Sequence, residues 1–451
     1  MACFSEISLS QIEEFNRMDP EFYKQEYLEF TKKLNDCSGI RLSNISNITD
    51  GIHASPQVVT SGIQYISAKC VKDNEFITDN CIRISNSQNS KNPRTQLREG
   101  DVIITSVGTI GNAAVVESGL LPSNCDRHVG IVRIEKRESI SPYYLSTFLN
   151  SKYGRFQTLR EAAGNVQLNL YVRNIGFLII PRLRDFEKEI TDWTFQAYRL
   201  RDKSKALYLQ AQELLEKKLG LDQLVTDKSV YSISTFANVS ASHRLDAQHF
   251  QSKFTDLINH LSKFPCEKIK NIRSYNRRGV QPVYIENGFI DVVNSQHISK
   301  THLKYDSFEK TSETIFNKSP EGHIRENDLL IYTTGAYIGQ TNVFLQNTPA
   351  LASNHVNILR IKPDIDSVYM GIVFQSKVGK YQTEMHSRGS AQAELYPSDI
   401  DKFVVPIITP ELQKKIGDLV RNSLSAENES KILLEQAKKR VEELIEGVIE
   451  Q

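Results

Sequence analysis

The sequence of 451 residues repeats itself once, with a nearly constant offset between the equivalent positions of the two copies. The same residue type recurs at one offset at three landmarks, which are Asp101 and Asp328, Gly108 and Gly335, and His128 and His355. The offset is slightly shorter near the end of each copy, as between Pro181 and Pro406. Because the shared positions are mostly glycine, aspartate, proline and apolar residues, they specify turns and core packing. The sequence therefore predicts two folded units of one kind, with two similar sites on divergent surfaces.

Length and composition favour a soluble protein of two domains with connectors. The chain is 39% hydrophobic and 24% charged, which is ordinary for globular proteins. No apolar run approaches the roughly 20 residues that span a bilayer, and the N-terminus lacks a signal-peptide pattern. No Cys-x-x-Cys motif occurs, and the cysteines of one copy do not recur in the other. We therefore expect a cytoplasmic protein without metal, cofactor or shared disulfide.

The net charge of +1 argues against a simple nucleic-acid binder, which is usually basic. Acidic residues collect towards the C-terminus, whereas basic residues cluster elsewhere. The basic clusters are Arg127, Arg133, Lys136 and Arg137, then Arg155 and Arg160, and then Arg273, Arg277 and Arg278. The charges of a basic face and an acidic helical stem can thus give a net charge near zero. For each basic residue, the alternative to a DNA contact is an ordinary solvated surface charge.

Each copy combines strand and helix patterns in the same order. A short motif beginning at Arg17 or Arg244 precedes a helical stretch. Buried strands are predicted at 102–105 and 329–332, each ending in a glycine-containing loop. Helical spacing follows at 143–157 and 369–382, so each unit is predicted to be mixed α/β with a β-rich core.

A long helix with a 3.5-residue repeat follows each unit, which is typical of a coiled-coil seam. The predicted seam residues are Phe186, Ile190, Trp193, Leu200, Leu207 and Leu214 in the first helix, and Leu412, Ile416, Leu419, Leu433 and Leu444 in the second. The first helix, of roughly 36 residues, is at most ~54 Å long. If the helices pair, chain direction makes them antiparallel, with a pseudo-two-fold axis. The alternative is an amphipathic helix that packs on its own domain.

These patterns divide the chain into four segments. Residues 1–184 and 242–410 form the two globular units, 185–241 the central helix and a linker, and 411–451 the C-terminal helix.

Catalytic motifs are missing from the sequence. The stretch from Gly108 to Gly111 lacks the Lys-Ser/Thr of a phosphate-binding loop, and a β-turn is the better interpretation. No metalloprotease, serine-hydrolase or kinase signature occurs. The loops instead carry hydroxyl, amide, tyrosine and arginine side chains, which contact phosphates and base edges. The candidate DNA-binding residues are Thr105, Ser106, Thr109, Asn112, Arg127, His128 and Gln167 in the first copy, and Arg277, Arg278, Tyr332, Thr333, Thr334, Tyr337, Gln340, His355, Arg388 and Gln392 in the second. A structural role is the alternative for both histidines.

Several motifs resemble those of the specificity (S) subunits of Type I restriction–modification systems, the HsdS family. They lie at 49–56, 62–69, 100–111 and 291–298, and the order unit–helix–unit–helix is the most specific part of the likeness. The first motif does not recur, since 275–280 has a different sequence.

This resemblance implies two target recognition domains, each reading one half of a bipartite site in double-stranded DNA. It also implies that the helices set the spacer and dock two methyltransferase subunits, that restriction subunits join through the complex, and that the chain itself has no catalytic site. Two alternatives remain open: the recognition subunit of a Type IIB system, and a tandem protein-binding adaptor.

Overall fold

The computed structural model describes residues 5–9, 12, 17–135, 140–164, 168–225, 231–389 and 392–447. It divides into two compact units, which we call unit 1 (Met1–Arg201 with Asn428–Gln451) and unit 2 (Asp202–Glu427). Each contains several sheets and helices, so the predicted mixed α/β class is confirmed.

Unit 1 consists of short strands and helices followed by the start of a long helix. Its strands are β1 (Ile40–Arg41), β2 (Ser46–Asp50), β3 (Val58–Val59), β4 (Ile63–Ile66), β5 (Val71–Lys72), β6 (Glu75–Phe76), β7 (Ile82–Ile84), β8 (Val102–Thr105), β9 (Ala113–Val115), β10 (Ser123–Cys125), β11 (Val129–Ile134) and β12 (Ile179–Ile180). Its helices are α1 (Gln25–Asp36), α2 (Asn86–Ser90), α3 (Pro142–Asn150), α4 (Lys152–Glu161), α5 (Val172–Phe177) and the first part of α6 (Phe186–Leu219).

Unit 2 has the same plan. Its strands are β13 (Cys266–Lys268), β14 (Arg273–Arg278), β15 (Ile290–Val293), β16 (Glu309–Thr311), β17 (His323–Ile324), β18 (Leu329–Tyr332), β19 (Thr341–Val343), β20 (Ala350–Ala352), β21 (Val356–Ile361) and β22 (Val404–Pro406). Beyond α6, its helices are α7 (Phe236–Ser242), α8 (Ser252–Leu261), α9 (Ile269–Ile272), α10 (Glu313–Asn317), α11 (Ser367–Gln375), α12 (Lys377–His386), α13 (Pro397–Ile400) and the first part of α14 (Pro410–Glu446).

One sheet of each unit corresponds strand by strand, and a second sheet shares three equivalent strands. An antiparallel sheet has the order β2-β11-β8-β9 in unit 1 and β14-β21-β18-β19 in unit 2. A second four-stranded sheet contains the parallel pair β4–β10 in unit 1 and β15–β20 in unit 2. The register also repeats, since Ile104 pairs with Gly130 and Ile331 pairs with Asn357, and the two pairs occupy equivalent positions of the repeat.

The central strand β8 is buried on both faces, which explains its uninterrupted apolar run. Val102 and Ile104 pack with α3 residues such as Tyr144, whereas Ile103 packs with Ile66 of the second sheet. Alternate side chains of a strand point to opposite faces, so both faces must be apolar here. The predicted bounds of β8 and β18 agree with the structure.

The motif at the start of each copy clamps a helix end. In unit 2, Arg244 pairs with Asp246 and donates to the last carbonyls of α12, at Met385, His386 and Ser387, over 3.0–3.4 Å. Unit 1 repeats this arrangement between Arg17 and the end of α4. The guanidinium thus satisfies carbonyls that a helix C-terminus leaves unpaired.

The single helix expected at 143–157 is two helices, α3 and α4, with a break at Ser151. Its hydroxyl accepts a hydrogen bond from the Gly154 N–H and thereby caps α4. A Cβ at Gly154 would lie 2.3 Å from the Phe148 carbonyl oxygen, so the sharp turn requires glycine. Ser376 and Gly379 repeat the break in unit 2.

The helices α6 and α14 pack antiparallel within each unit, through small residues. In unit 1, the Ser430 hydroxyl donates to the Ala197 carbonyl over 2.7 Å, and Arg440 lies 3.3 Å from Glu189. In unit 2, the Ser423 hydroxyl donates to the Ser204 carbonyl over 2.7 Å. Small side chains let the helix axes approach closely.

None of the described helices is long and apolar enough to cross a membrane.

The residues of the predicted seam differ in burial. Ile190 and Ile416 are fully buried, and Phe186 is 39% exposed. The half-buried residues are Trp193, Leu200, Leu207, Leu214, Leu412, Leu419, Leu433 and Leu444. Other side chains of α6 are buried against the globular part of unit 1. There the hydroxyl of Tyr198 accepts a hydrogen bond from the Val115 N–H over 3.0 Å. The helices therefore pack both on each other and on the globular units.

Candidate nucleic-acid interface

A glycine turn follows β8 and shapes the candidate loop of unit 1. The Thr105 N–H donates to the Asn112 carbonyl over 2.8 Å and closes the loop. Gly108 and Gly111 have φ values of +81° and +87°. A Cβ at Gly111 would lie 2.5 Å from Oγ1 of Thr158, so only glycine fits. The structure thus contains the turn that the sequence favoured over a phosphate-binding loop.

Unit 2 forms the same turn with one more residue. The Tyr332 N–H donates to the Gln340 carbonyl over 2.8 Å. Gly335 and Gly339 have φ values of +103° and +84°, and a Cβ at Gly339 would lie 2.7 Å from the side chain of Thr383. The backbone of the loop is therefore shared between the units, while its side chains differ.

Three segments of unit 1 meet at this loop. The Ser106 N–H donates to the His128 carbonyl over 3.0 Å, and the Leu170 N–H donates to the Ser106 carbonyl over 2.8 Å. Ala163 and Asn169 exchange two backbone hydrogen bonds of 2.9 and 2.8 Å, which close a small hairpin. We call the described residues of the end of β2, the loop 105–112, the turn at 126–128 and the hairpin 163–171 the platform of unit 1.

The equivalent segments of unit 2 meet in the same way. The Thr333 N–H donates to the His355 carbonyl over 3.0 Å, and the Leu395 N–H donates to the Thr333 carbonyl over 2.9 Å. Arg388 and Glu394 exchange backbone hydrogen bonds of 2.8 and 2.7 Å. The platform of unit 2 comprises the described residues of the end of β14, the loop 332–340, the turn at 353–355 and the hairpin 388–396.

Part of the predicted contact set is buried in the structure. The buried candidates are Thr105, Ser106, Asn112, Thr333 and Thr334. The Thr105 hydroxyl accepts from the Asn112 N–H over 2.9 Å, and the Asn112 amide donates to the Val71 carbonyl over 3.1 Å. The Thr333 hydroxyl likewise donates to the His355 carbonyl over 2.9 Å, whereas the buried Thr334 hydroxyl has no partner among the described residues. The role of these five residues as DNA contacts stays a prediction.

Most of the predicted basic clusters also pair internally. Arg133 pairs with Asp101, and Arg273 pairs with Asp401. Arg155 pairs with Asp73, and the buried Arg160 donates to the Phe22 carbonyl. Positions 136 and 137 lie outside the described residues. The clusters therefore contribute less exposed positive charge than their sequence indicated.

Three candidates of unit 1 remain at its surface. Thr109 and Arg127 are exposed. The ring of His128 is held by Asp126, whose carboxylate lies 3.1 Å from Nδ1. Gln167 lies outside the described residues.

The platform of unit 2 keeps more of its candidates accessible. The exposed candidates are Arg277, Tyr337, His355, Arg388 and Gln392. The half-buried candidates are Arg278, Tyr332 and Gln340. Arg278 donates to the Leu395 carbonyl over 3.1 Å, and its guanidinium lies 4.7 Å from the ring centre of Tyr396.

The first family-like motif, at 49–56, has a structural counterpart in unit 2, although its sequence does not recur there. Asp50 pairs with Gly130 in unit 1, and Arg278 pairs with Asn357 at the same register of unit 2. The glycine after each, at 51 and 279, lies against the same carbonyl oxygens of the neighbouring strand. Asp50 and Arg278 therefore occupy one position of the scaffold with opposite charges.

Sequence reasoning missed a tyrosine that both platforms share. Tyr171 and Tyr396 are equivalent in the repeat, are 56% and 40% exposed, and directly precede α5 and α13. The signal was available, because the leucines directly before the tyrosines, at 170 and 395, have the same offset as Pro181 and Pro406. An aromatic ring exposed at the same place in both units suits stacking on a base.

In the part of the chain that the structure describes, no cluster of three His, Cys, Asp or Glu side chains could hold a metal ion. The cysteines described there are free thiols.

The structure thus contains two copies of one α/β scaffold, each with exposed polar and aromatic groups around a glycine loop. Residues 268–436 match the family model of the Type I restriction modification DNA specificity domain. The second repeat is thus similar to the DNA specificity domain of Type I restriction–modification systems, and the resemblance found in the sequence motifs is confirmed.

Solved structures with low identity are similar over nearly the whole chain. The S subunit of a Type I restriction–modification system from M. genitalium is 10% identical, with a TM-score of 0.46, and the match covers 92% of this chain and 96% of that chain. The HsdS subunit from Thermoanaerobacter tengcongensis is 14% identical, with a TM-score of 0.29, and the match covers 91% and 97%. No curated protein matches the chain.

Proposed function

We propose that the chain is the non-catalytic specificity subunit of a Type I restriction–modification complex, with unit 1 and unit 2 each reading one half of a bipartite DNA site. The observation that carries this proposal is the shared platform with divergent side chains. The backbone geometry repeats from loop to loop, whereas Asp50 is replaced by Arg278 at one scaffold position. A common frame with different polar groups is what two different half-sites require.

We assign residues 1–184 and 242–410 to the two target recognition domains. We assign residues 185–241 to the central helix and a linker, and residues 411–451 to the C-terminal helix. The two helices set the spacer and dock two methyltransferase subunits, through which restriction subunits join. Apolar side chains exposed on these helices, such as Phe195, Leu209 and Ile432, are candidates for the docking contacts.

The proposal is tested by DNA binding of the chain co-purified with its methyltransferase subunit, at several salt concentrations. Phosphate contacts release counterions, so affinity should fall steeply as salt rises. The double variant Arg127→Gln/Arg277→Gln removes one exposed guanidinium from each platform and should reduce the log–log salt slope by about 2.

The matched control is Lys33→Gln/Lys263→Gln, which removes one exposed charge per unit away from the platforms. It should leave the slope unchanged. A complex that binds no DNA, or binds it without salt dependence, would contradict the proposal and favour a protein-binding adaptor. A fused nuclease–methyltransferase as the co-purified partner would indicate a Type IIB system.

A further inference from the structure

We propose that Arg388 gives the half-site of unit 2 a requirement for guanine, an inference that rests on the proposed function. Arg388 lies at the base of the platform hairpin, where its backbone pairs with Glu394. Its side chain is 49% exposed, yet its Nη2 donates to Asp399 over 2.7 Å. The Asp399 side chain is only 1% exposed. A guanidinium that is anchored at one end and open to solvent is pre-organised for recognition.

The anchor leaves part of the guanidinium fork available. Within the described residues, neither Nε nor Nη1 of Arg388 makes a hydrogen bond. Guanine presents two acceptors, O6 and N7, in the major groove, and arginine recognises them with two donors of its rigid fork. Burial raises the pKa of Asp399, but hydrogen bonds from Arg388 and Lys402 outweigh it and hold the pKa below its ordinary value. The anchor therefore stays ionised near neutral pH.

An aromatic ring is fixed beside this fork. The ring centre of Tyr396 lies 6.0 Å from the guanidinium carbon of Arg388 and 4.7 Å from that of Arg278. The Tyr396 hydroxyl donates to the Glu394 carboxylate. A ring flanked by two guanidiniums and tied at its hydroxyl offers a flat, rigid surface for a base next to the one that Arg388 reads.

Unit 1 keeps the ring but lacks both the fork and its anchor. Tyr171 stands at the position of Tyr396, whereas Ala163 and Asn174 replace Arg388 and Asp399, at the same offset along the chain. The local backbone is the same, since the Asn174 N–H donates to the Tyr171 carbonyl over 2.8 Å, as the Asp399 N–H does to Tyr396 over 2.9 Å. The guanine requirement at this position should therefore belong to the half-site of unit 2 alone.

The test is sequencing of methylated sites in a host that carries the whole system with Arg388→Lys, Arg388→Ala or Lys402→Ala. Lysine keeps the charge, and so a phosphate contact, but it loses the two-donor fork. Lys402→Ala removes the other cation on Asp399 without touching Arg388. Co-purification with the methyltransferase subunit shows that each variant folds.

We expect both Arg388 variants to lower the preference for one guanine on the order of 10- to 100-fold, with the half-site of unit 1 unchanged. Lys402→Ala should retain the guanine. The assignment is overturned if Arg388→Lys keeps the full preference, if Lys402→Ala loses it equally, or if the half-site of unit 2 contains no guanine. A wild-type complex that methylates no defined bipartite motif would instead overturn the proposed function itself.

Discussion

Arg133 donates two parallel hydrogen bonds, of 2.8 and 2.7 Å, to the buried carboxylate of Asp101. The same carboxylate accepts the backbone N–H of Arg98 over 2.8 Å, which fixes the turn that enters β8. Arg360 and Asp328 repeat the pair in unit 2, with two bonds of 2.7 Å. This ion pair joins the start of β8 to β11, at the end of β8 opposite the loop 105–112, and it identifies an arginine whose role is structural.

We expect Arg133→Met to destabilise unit 1 by about 3–5 kcal/mol, because it leaves a buried carboxylate without its counter-ion. The only tryptophan of the chain, Trp193, is half-buried against the core of unit 1, so its fluorescence reports the urea unfolding of this unit. Arg127→Met, at an exposed arginine, should change the free energy of unfolding by less than about 0.5 kcal/mol. Equal effects of the two substitutions would contradict the structural role of Arg133.

The stability of unit 1 should fall as pH rises from about 4.5 to about 7, because of Glu161. Burial raises the pKa of its carboxyl to about 7, from an ordinary 4.5. A raised folded-state pKa gives stability that is complete below pH 4.5 and is lost as pH rises through 7. Glu161→Gln should therefore stabilise unit 1 by about 3 kcal/mol at pH 8 and have little effect at pH 4.5.

Urea unfolding followed by Trp193 fluorescence at the two pH values measures this difference. Glu26→Gln, at an exposed glutamate of α1, controls for the loss of one surface charge. A gain from Glu161→Gln that is the same at both pH values would exclude deprotonation of a buried carboxyl as its cause.

The length of α6 and α14 should set the spacer between the half-sites. Four residues inserted after Arg201, together with four after Glu427, add about 6 Å to each helix. At ~3.4 Å per base pair, the preferred spacer should lengthen by one or two base pairs. Sequencing of methylated sites measures the spacer, and insertion into one helix alone controls for loss of helix pairing. Retained methylation with an unchanged spacer would show that the helices do not set the distance.

Elements with a strong local pattern could be predicted from the sequence. The bounds of β8 and β18 were found because an apolar run ends there at turn residues, and the long helices because their periodicity is sustained. The break at Ser151 was missed because the apolar spacing continues across it. Exposed arginines could not be separated from paired ones, since Asp101 is distant from Arg133 in the sequence and only the fold brings them together. The shared position of Asp50 and Arg278 likewise became visible only through strand register.

The most direct test of the central claim is to exchange residues 1–184 for the matching region of a relative with a different motif, and to sequence the methylated sites of a host carrying the hybrid system. We expect one half of the recognised site to change to that of the relative, while the other half and the spacer stay as in the wild type. A hybrid that changes both halves together, or neither, would contradict the claim that each unit reads its own half-site.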